Sequence, residues 1–250
     1  MNFTRSLTTS VITLALIVTS SIVMADEAKE KEALAVLQSD APKGEKAIAC
    51  KKLAVYGSSA SVAEVAKLLP DPQLSSWARI ALEAIPGKEA DEALRKAGES
   101  LDGLLLVGTI NSIGVRRDAA AVELLTGRLK DKDEEVASAA AVALGRVGND
   151  SAAKSLRAAL ASGPAKVRSA VAEGCVLCAE KLHNDGKSAE AVAIYDEVRK
   201  AELPKQRIVE ATRGAILARQ QEGIPLLLEQ LRSSDKKMVE LALGTAREFP

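Results

Sequence analysis

The chain has 250 residues, of which 47% are hydrophobic but only 2% aromatic, so alanine, leucine and valine supply most of the apolar mass. Its 34 basic residues balance its 34 acidic residues, which excludes the strong positive field with which proteins collect DNA or RNA. We therefore expect no nucleic-acid partner. Because His183 is the one histidine and no Ser/His/Asp arrangement is visible, we also expect no catalytic site, no cofactor and no metal site.

Residues 1–25 have the layout of a secretory signal peptide. Arg5 precedes an apolar stretch over residues 11–24, and small residues at Val23 and Ala25 lead into the acidic Asp26. A retained membrane anchor is the alternative, but the apolar run is about 14 residues and a spanning helix needs about 20. We predict cleavage after Ala25, a periplasmic or secreted protein, and no stable membrane span after cleavage.

Residues 26–44 form a charged N-terminal segment. Its first residues alternate acids and lysines, and Leu34, Val36 and Leu37 then supply an apolar face. This pattern predicts a short amphipathic helix that caps whatever follows it. The sequence Ala-Pro-Lys-Gly at residues 41–44 predicts a turn.

From Glu45 onward, the chain alternates apolar helices with short polar corners. Six helical hairpins are predicted, and a seventh first helix begins near Asp235 and stays unpaired. The predicted hairpins pair residues 45–57 with 61–69, 72–85 with 88–98, 101–113 with 119–130, 134–147 with 151–161, 164–182 with 188–201, and 204–220 with 225–233. Glycine suits a corner because the residue after a helix often needs a positive φ. The predicted corner glycines are Gly57, Gly87, Gly114, Gly148, Gly186 and Gly223.

A single hairpin cannot bury its own apolar face, so several must stack. The predicted fold class is therefore all-α, an α-solenoid of antiparallel helical hairpins over residues 45–250. The segment ALGRVGNDSAAKSL at residues 143–156 resembles the core of bacterial HEAT-like repeats of the phycobilin-lyase type, and residues 110–125 and 241–249 are looser copies. The resemblance to secreted bacterial HEAT-repeat proteins implies a HEAT-like, armadillo-like superhelix. No lyase signature accompanies it, so it implies no lyase activity.

One segment departs from this pattern. Residues 186–201, GKSAEAVAIYDEVRKA, also resemble the second helix of a tetratricopeptide repeat, with Ala189, Ala191 and Tyr195 at suitable positions. A local unit of that kind inside the array is an open alternative. A full tetratricopeptide array is not predicted, because the other hairpins lack a regular 34-residue period.

Cys175 and Cys178 form a Cys-x-x-Cys pair within a predicted helix. Haem attachment would need a histidine directly after the second cysteine, where this chain has Ala179. A structural zinc site would need four ligands, and Cys50 and His183 are the remaining candidates. We favour core packing for both thiols; a disulfide between them, and a redox or metal role, stay open. We also expect Trp77 to pack between neighbouring hairpins.

An arginine recurs late in the second helix of successive hairpins. The series consists of Arg95, Arg128, Arg157, Arg199 and Arg232, and lysines such as Lys130 accompany some of its members. The simplest interpretation is that these cations complement the negative helix ends. The functional interpretation is that second helices line the concave face of HEAT arrays, where such a series would suit an acidic protein partner. These five arginines are the candidate partner-binding residues.

The leading hypothesis is a non-catalytic, exported protein-binding scaffold that uses the solenoid surface. The alternative is an N-terminal accessory HEAT segment of a larger secreted enzyme or electron-transfer protein. A lyase or other enzyme built on HEAT repeats is a third hypothesis, for which the sequence offers no convergent polar pocket. Because the last predicted helix lacks a partner, we expect C-terminal docking or self-association to cover its apolar face.

Overall fold

The computed structural model describes residues 26–249, and the predicted signal peptide lies outside them. These residues form α-helices and short 3₁₀ turns, and no strand occurs in residues 26–249. The predicted all-α class of antiparallel helical hairpins is thus confirmed. The chain divides into two compact units between Ala97 and Gly98, and each is described by itself.

The first unit contains two hairpins preceded by a short helix. Helix α1 covers residues 26–38. The helices that follow are α2 (Lys43–Tyr56), α3 (Val62–Ala66), α4 (Ser75–Ala84) and the first part of α5 (Lys88–Ser100). Helix α4 packs against both α2 and α3. The core of this unit is aliphatic, with fully buried Leu53, Leu69, Leu82 and Ile85.

A buried carboxylate fastens α1 to the corner of the first hairpin. Glu30 accepts hydrogen bonds from the backbone N–H of Ser58 (2.7 Å), from the Ser58 hydroxyl (2.9 Å) and from the Ser61 hydroxyl (2.5 Å). Burial alone would raise the pKa of Glu30, but these hydrogen bonds to Ser61 and Ser58 lower it below its usual value. The charged N-terminal segment therefore holds a specific contact with the first repeat.

The second unit contains hairpins three to six and a final helix. Its remaining helices are α6 (Gly103–Arg116), α7 (Val122–Arg128), α8 (Glu134–Val147), α9 (Asp150–Ser162), α10 (Arg168–Asn184), α11 (Ser188–Lys200), α12 (Lys205–Ala218), α13 (Ile224–Leu231) and α14 (Lys236–Thr245). The first helices α6, α8, α10, α12 and α14 contact one another in chain order, and each of the second helices α7, α9, α11 and α13 packs against the first helix that follows it. This contact order is that of stacked hairpins.

The first helices approach one another through small residues. A Cβ atom at Gly145 of α8 would lie 2.7 Å from the Cα of Gly174 on α10, and a Cβ at Gly174 would lie 2.9 Å from the carbonyl carbon of Ala141. Real Cβ atoms do not approach other atoms so closely, so the two glycines are required for this packing. Farther along, the ring of Tyr195 fills the space beside Gly214 of α12.

The predicted role at a corner fits Gly148 but not Gly114. Gly148 ends α8 with φ +62° and donates its N–H to the carbonyl of Leu144, as predicted. The prediction for Gly114 is wrong, because this residue is buried inside α6. A Cβ there would lie 2.9 Å from the Cα of Ala143, so Gly114 allows close packing against α8. The corner falls at Arg117, which adopts φ 54°.

The expectation that Trp77 packs between hairpins is also wrong. Trp77 is 39% exposed and lies near exposed Ile80 on the outer face of α4. The inner face of that helix is formed by Ala78, Ala81 and Leu82, which are fully buried. Because small residues already fill the inner face, the indole is left on the other side of the helix.

Substitution of Gly174 by alanine tests the close contact between α8 and α10. We expect Gly174→Ala to lower the free energy of unfolding by about 1–3 kcal/mol, because the added methyl group overpacks a backbone contact. The measurement is urea unfolding followed by circular dichroism at 222 nm.

The matched control is Gly127→Ala in α7, where an added Cβ meets nothing within 4 Å. Since alanine is the better helix former there, this control should be neutral or stabilising by about 0.5–1 kcal/mol. Equal urea midpoints for Gly174→Ala and the unsubstituted chain would show that the contact is not tight.

Candidate binding surface

The second helices α7, α9 and α11 of residues 98–250 form a grooved face that we call the second-helix surface. One groove lies between α9 and α11 and has a volume of about 810 Å³. A second lies between α7 and α9, is bordered by the start of α10, and has a volume of about 580 Å³. We call them the α9–α11 groove and the α7–α9 groove. Both are large enough to take side chains of a bound segment.

The α9–α11 groove combines alanines with paired charges. Ala153, Ala161 and Ala193 are among the residues that line it, together with Arg157 and Glu197 on opposite sides. The Arg157 Nε donates to the Glu197 Oε2 over 2.8 Å, and a second N–H of the same guanidinium donates to the other carboxylate oxygen. This hydrogen bond to Glu197 raises the pKa of Arg157. The groove is therefore bridged by a bidentate ion pair and carries little net charge.

The α7–α9 groove has a different chemistry. Hydroxyl groups line it, and the Thr126 hydroxyl donates across it to Ser155 over 2.9 Å. Aliphatic side chains, including Leu129 and Val171, provide an apolar floor. Among the residues that the structure describes, its lining includes Lys130 and Lys154 but no Asp or Glu. This groove is thus cationic, whereas its neighbour is close to neutral.

Arg128 and Arg157 each have well-defined partners within the second unit. Arg128 donates to the carbonyl oxygen of Gly98 at the end of α5 (2.8 Å) and pairs with Asp131 (3.0 Å). It therefore complements a negative helix end, as the simplest interpretation holds. Arg157 is the member of the series that lines the α9–α11 groove, where Glu197 holds its guanidinium.

Arg199 and Arg232 belong to the same unit but line neither groove, and Arg95 belongs to the first unit. Arg199 is half-buried and pairs with Asp196 over 3.0 Å, whereas Arg95 is half-buried in α5. Arg232 is exposed at the C-terminal end of α13. Partner binding by the series as a whole stays a prediction, and the contacts described give Arg128, Arg157 and Arg199 intramolecular roles.

All three thiols are free and buried. Cys175 and Cys178 lie inside α10, and burial raises the pKa of Cys175 to about 12 and that of Cys178 to about 11. Burial likewise raises the pKa of Cys50 to about 11. Thiolate is the reactive form of cysteine, so these thiols behave as small apolar side chains, in agreement with the favoured interpretation.

His183 lies in the last turn of α10, and its Nδ1 is 3.0 Å from the Ser188 hydroxyl. This contact joins the two helices of the fifth hairpin near their corner. Within residues 26–249, no three His, Cys, Asp or Glu side chains converge in a way that could hold a metal ion. No helix in the same range is long and apolar enough to cross a membrane.

Sequence reasoning missed the cationic groove. The sequence pattern marks Lys130 only as a companion of Arg128 and does not single out Lys154. The two residues are 24 positions apart in the sequence, and only the packing of α7 beside α9 brings them to one groove. The available signal was local: Lys154 lies between Ser151 and Ser155, so one face of α9 carries two hydroxyls and a cation.

The stacked hairpins that carry the second-helix surface define an all-α repeat fold of antiparallel helical hairpins. The family model for HEAT repeats matches residues 99–175, which include hairpins three and four and the first part of α10. None of the curated proteins compared with the chain matches it.

Three solved structures illustrate the similarity. An engineered protein is 20% identical with a TM-score of 0.47, over 87% of this chain and 67% of that chain. The complex of CpcE and CpcF of phycocyanin lyase from Nostoc sp. is 18% identical with a TM-score of 0.47, over 88% and 94%. Human deoxyhypusine hydroxylase in complex with glycerol is 13% identical with a TM-score of 0.42, over 90% and 98%.

Thiol titration tests the packing role of the cysteines. At pH 8 the folded chain should react slowly with a disulfide reagent such as dithiobis-nitrobenzoate, and all three thiols should react after denaturation in guanidinium. The reason is that raised pKa values and burial both suppress attack by the thiolate. A thiol that reacts in the folded chain as fast as free cysteine, or fewer than three thiols after denaturation without reductant, would restore the redox or disulfide alternative.

Proposed function

We propose that this protein is an exported, non-catalytic scaffold that binds a partner protein through the second-helix surface. The observation that carries the proposal is the pair of adjacent grooves on consecutive second helices, with volumes of about 810 and 580 Å³. Grooves repeated from one hairpin to the next suit an extended or helical segment better than a small molecule. Repeat proteins commonly use such surfaces for binding.

The side chains of the α9–α11 groove support a docking role. Alanine is frequent along it, and small side chains leave room for a partner's larger ones. Both members of the Arg157–Glu197 pair are partly exposed, so the pair contributes little to stability. Arg157 and Glu197 can separate and each bind a group of the partner instead. Such an exchange favours specificity more than affinity.

The non-catalytic part of the proposal rests on the state of the reactive groups. The thiols are buried with raised pKa values. Arg157 and Glu197 neutralise each other, and Lys187 pairs with Asp150 over 2.8 Å at the end of the larger groove. A catalytic site usually shows the opposite, with a nucleophile or acid–base group exposed beside a group that activates it.

Filling both grooves tests the scaffold proposal. The double variant Ala158→Trp/Ala161→Trp places one indole in each groove, since Ala158 lines the α7–α9 groove and Ala161 the α9–α11 groove. Both alanines are exposed, so we expect the fold to tolerate the change. With immobilised full-length chain and an extracytoplasmic fraction of the source cells, the variant should lose the proteins that the unsubstituted chain retains.

The matched control is Val115→Trp, because Val115 is 51% exposed on the first helix α6. It adds the same indole to the other face of the hairpins and should leave capture unchanged. The scaffold proposal fails if the double variant and the control retain the same proteins in the same amounts.

Export is proposed on the basis of residues 1–25 alone. We expect the protein recovered from cells that express the full chain to lie outside the cytoplasm and to begin at Asp26, because cleavage after Ala25 satisfies the small-residue requirement. N-terminal sequencing and intact mass measurement check this. A protein that retains residues 1–25 in the cytoplasmic fraction would contradict export.

A further inference from the structure

We infer that the α7–α9 groove is the recognition site for an acidic segment of the partner protein, in which a carboxylate group lies beside an aliphatic side chain. The inference rests on the scaffold proposed above. It identifies the part of the second-helix surface that binds the negatively charged groups of the partner. It assigns this role to Lys130 and Lys154 rather than to the arginine series.

Lys130 and Lys154 give the α7–α9 groove its positive charge. Both lysines are exposed at this groove, and neither forms an ion pair with a residue in the described part of the chain. Two nearby carboxylates are already engaged, since Arg128 holds Asp131 at 3.0 Å and Lys187 holds Asp150 at 2.8 Å. Glu190 lines the neighbouring α9–α11 groove together with Lys154. The ammonium groups of Lys130 and Lys154 therefore form no ion pair within the described residues. A negatively charged ligand would be attracted to both of them.

Serine hydroxyl groups lie in the same groove as the two lysines. Ser151 and Ser155 line the groove on the same helix as Lys154. Serine hydroxyls both donate and accept, and carboxylate oxygens accept several hydrogen bonds at once. Lysine ammoniums beside hydroxyl groups therefore match the acceptor-only chemistry of an ionised Asp or Glu side chain.

The α7–α9 groove also has apolar surface. The buried Leu129 and Val171 lie at its bottom, and Val122, Ala158 and Pro164 leave apolar surface accessible along its walls. A purely ionic ligand would leave this apolar surface in water. A segment with an aliphatic residue next to its carboxylate covers this surface, and removing apolar area from water favours binding. The occupant is therefore a mixed acidic and aliphatic segment of a protein.

The α9–α11 groove provides an internal comparison. Its lining holds Asp150, Glu190 and Glu197 against two cations, which are Arg157 and the Lys154 that also lines the α7–α9 groove, so an acidic segment gains no net attraction there. The two grooves differ in charge although both are lined by residues of α9. We therefore expect an acidic segment to bind in the α7–α9 groove and not in the α9–α11 groove.

Peptide binding to the full chain, followed by fluorescence anisotropy at low salt, tests this inference. The probe is a fluorescein-labelled twelve-residue peptide that alternates Asp and Glu with Leu and Val. Its matched control replaces each Asp by Asn and each Glu by Gln. We expect the acidic peptide to bind at least about tenfold more tightly than the amide peptide, and its affinity to fall as salt rises.

Variants locate the binding. Lys130→Glu/Lys154→Glu should weaken binding of the acidic peptide at least about tenfold, because two attractive charges become repulsive. Lys200→Glu is the control: Lys200 is exposed at the end of α11 in the same unit and lines neither groove. Ala158→Trp should also abolish binding, whereas Ala161→Trp, which adds its indole to the α9–α11 groove, should leave it unchanged. Circular dichroism establishes that each variant is folded, and Lys130→Gln/Lys154→Gln replaces the double charge reversal if that variant is not.

Equal affinity for the acidic and amide peptides, absence of binding, or an equal loss with Lys200→Glu would overturn the inference. These outcomes are separable from failure of the scaffold proposal. If filling both grooves abolishes protein capture while the acidic peptide does not bind, the scaffold proposal stands and the acidic recognition alone is wrong.

Discussion

The contact between α8 and α10 is the constraint on which the second unit depends. Gly145 and Gly174 face each other with no room for a Cβ on either side, and Ala141 completes the contact. Dispersion forces are short-ranged, so helices that touch along their backbones gain many weak contacts at once. The distance between these first helices in turn fixes the spacing of α9 and its neighbours, since each second helix packs on the next first helix. The spacing of the helices that form the grooves therefore depends on Gly145 and Gly174, which lie on the first helices and not on the second-helix surface.

Much of this architecture could be predicted from the sequence because it depends on local chemistry. The corner at Gly148 needs a left-handed residue directly after an apolar helix, and both signals are contiguous in the chain. Gly114 carried a similar signal, yet it is a packing glycine beside Ala143. A glycine at a corner and a glycine at a helix contact look alike in sequence, because both reflect the lack of a side chain and only the neighbouring helix distinguishes them.

The candidate site was less predictable, for a related reason. The arginine series was found because its members recur at the same place in each second helix, but recurrence does not reveal a partner. Asp131 and Glu197 neutralise Arg128 and Arg157, and the second of these pairs joins residues that are 40 positions apart in the chain. Whether a surface cation is available to a ligand depends on such distant carboxylates. The availability of Lys130 and Lys154 could accordingly be read only from the folded chain.

Lys154 lines both grooves, and this position couples them. A single ammonium group cannot donate fully to ligands on both sides of α9 at the same time. Two segments that each rely on Lys154 would oppose each other's binding, and by thermodynamic linkage the effect would be equal in both directions. Two segments would not oppose each other if one used Lys130 alone in the α7–α9 groove and the other used the Arg157–Glu197 pair in the α9–α11 groove. One flexible side chain thus determines whether the repeat surface behaves as two independent sites or as a single site with alternative occupants.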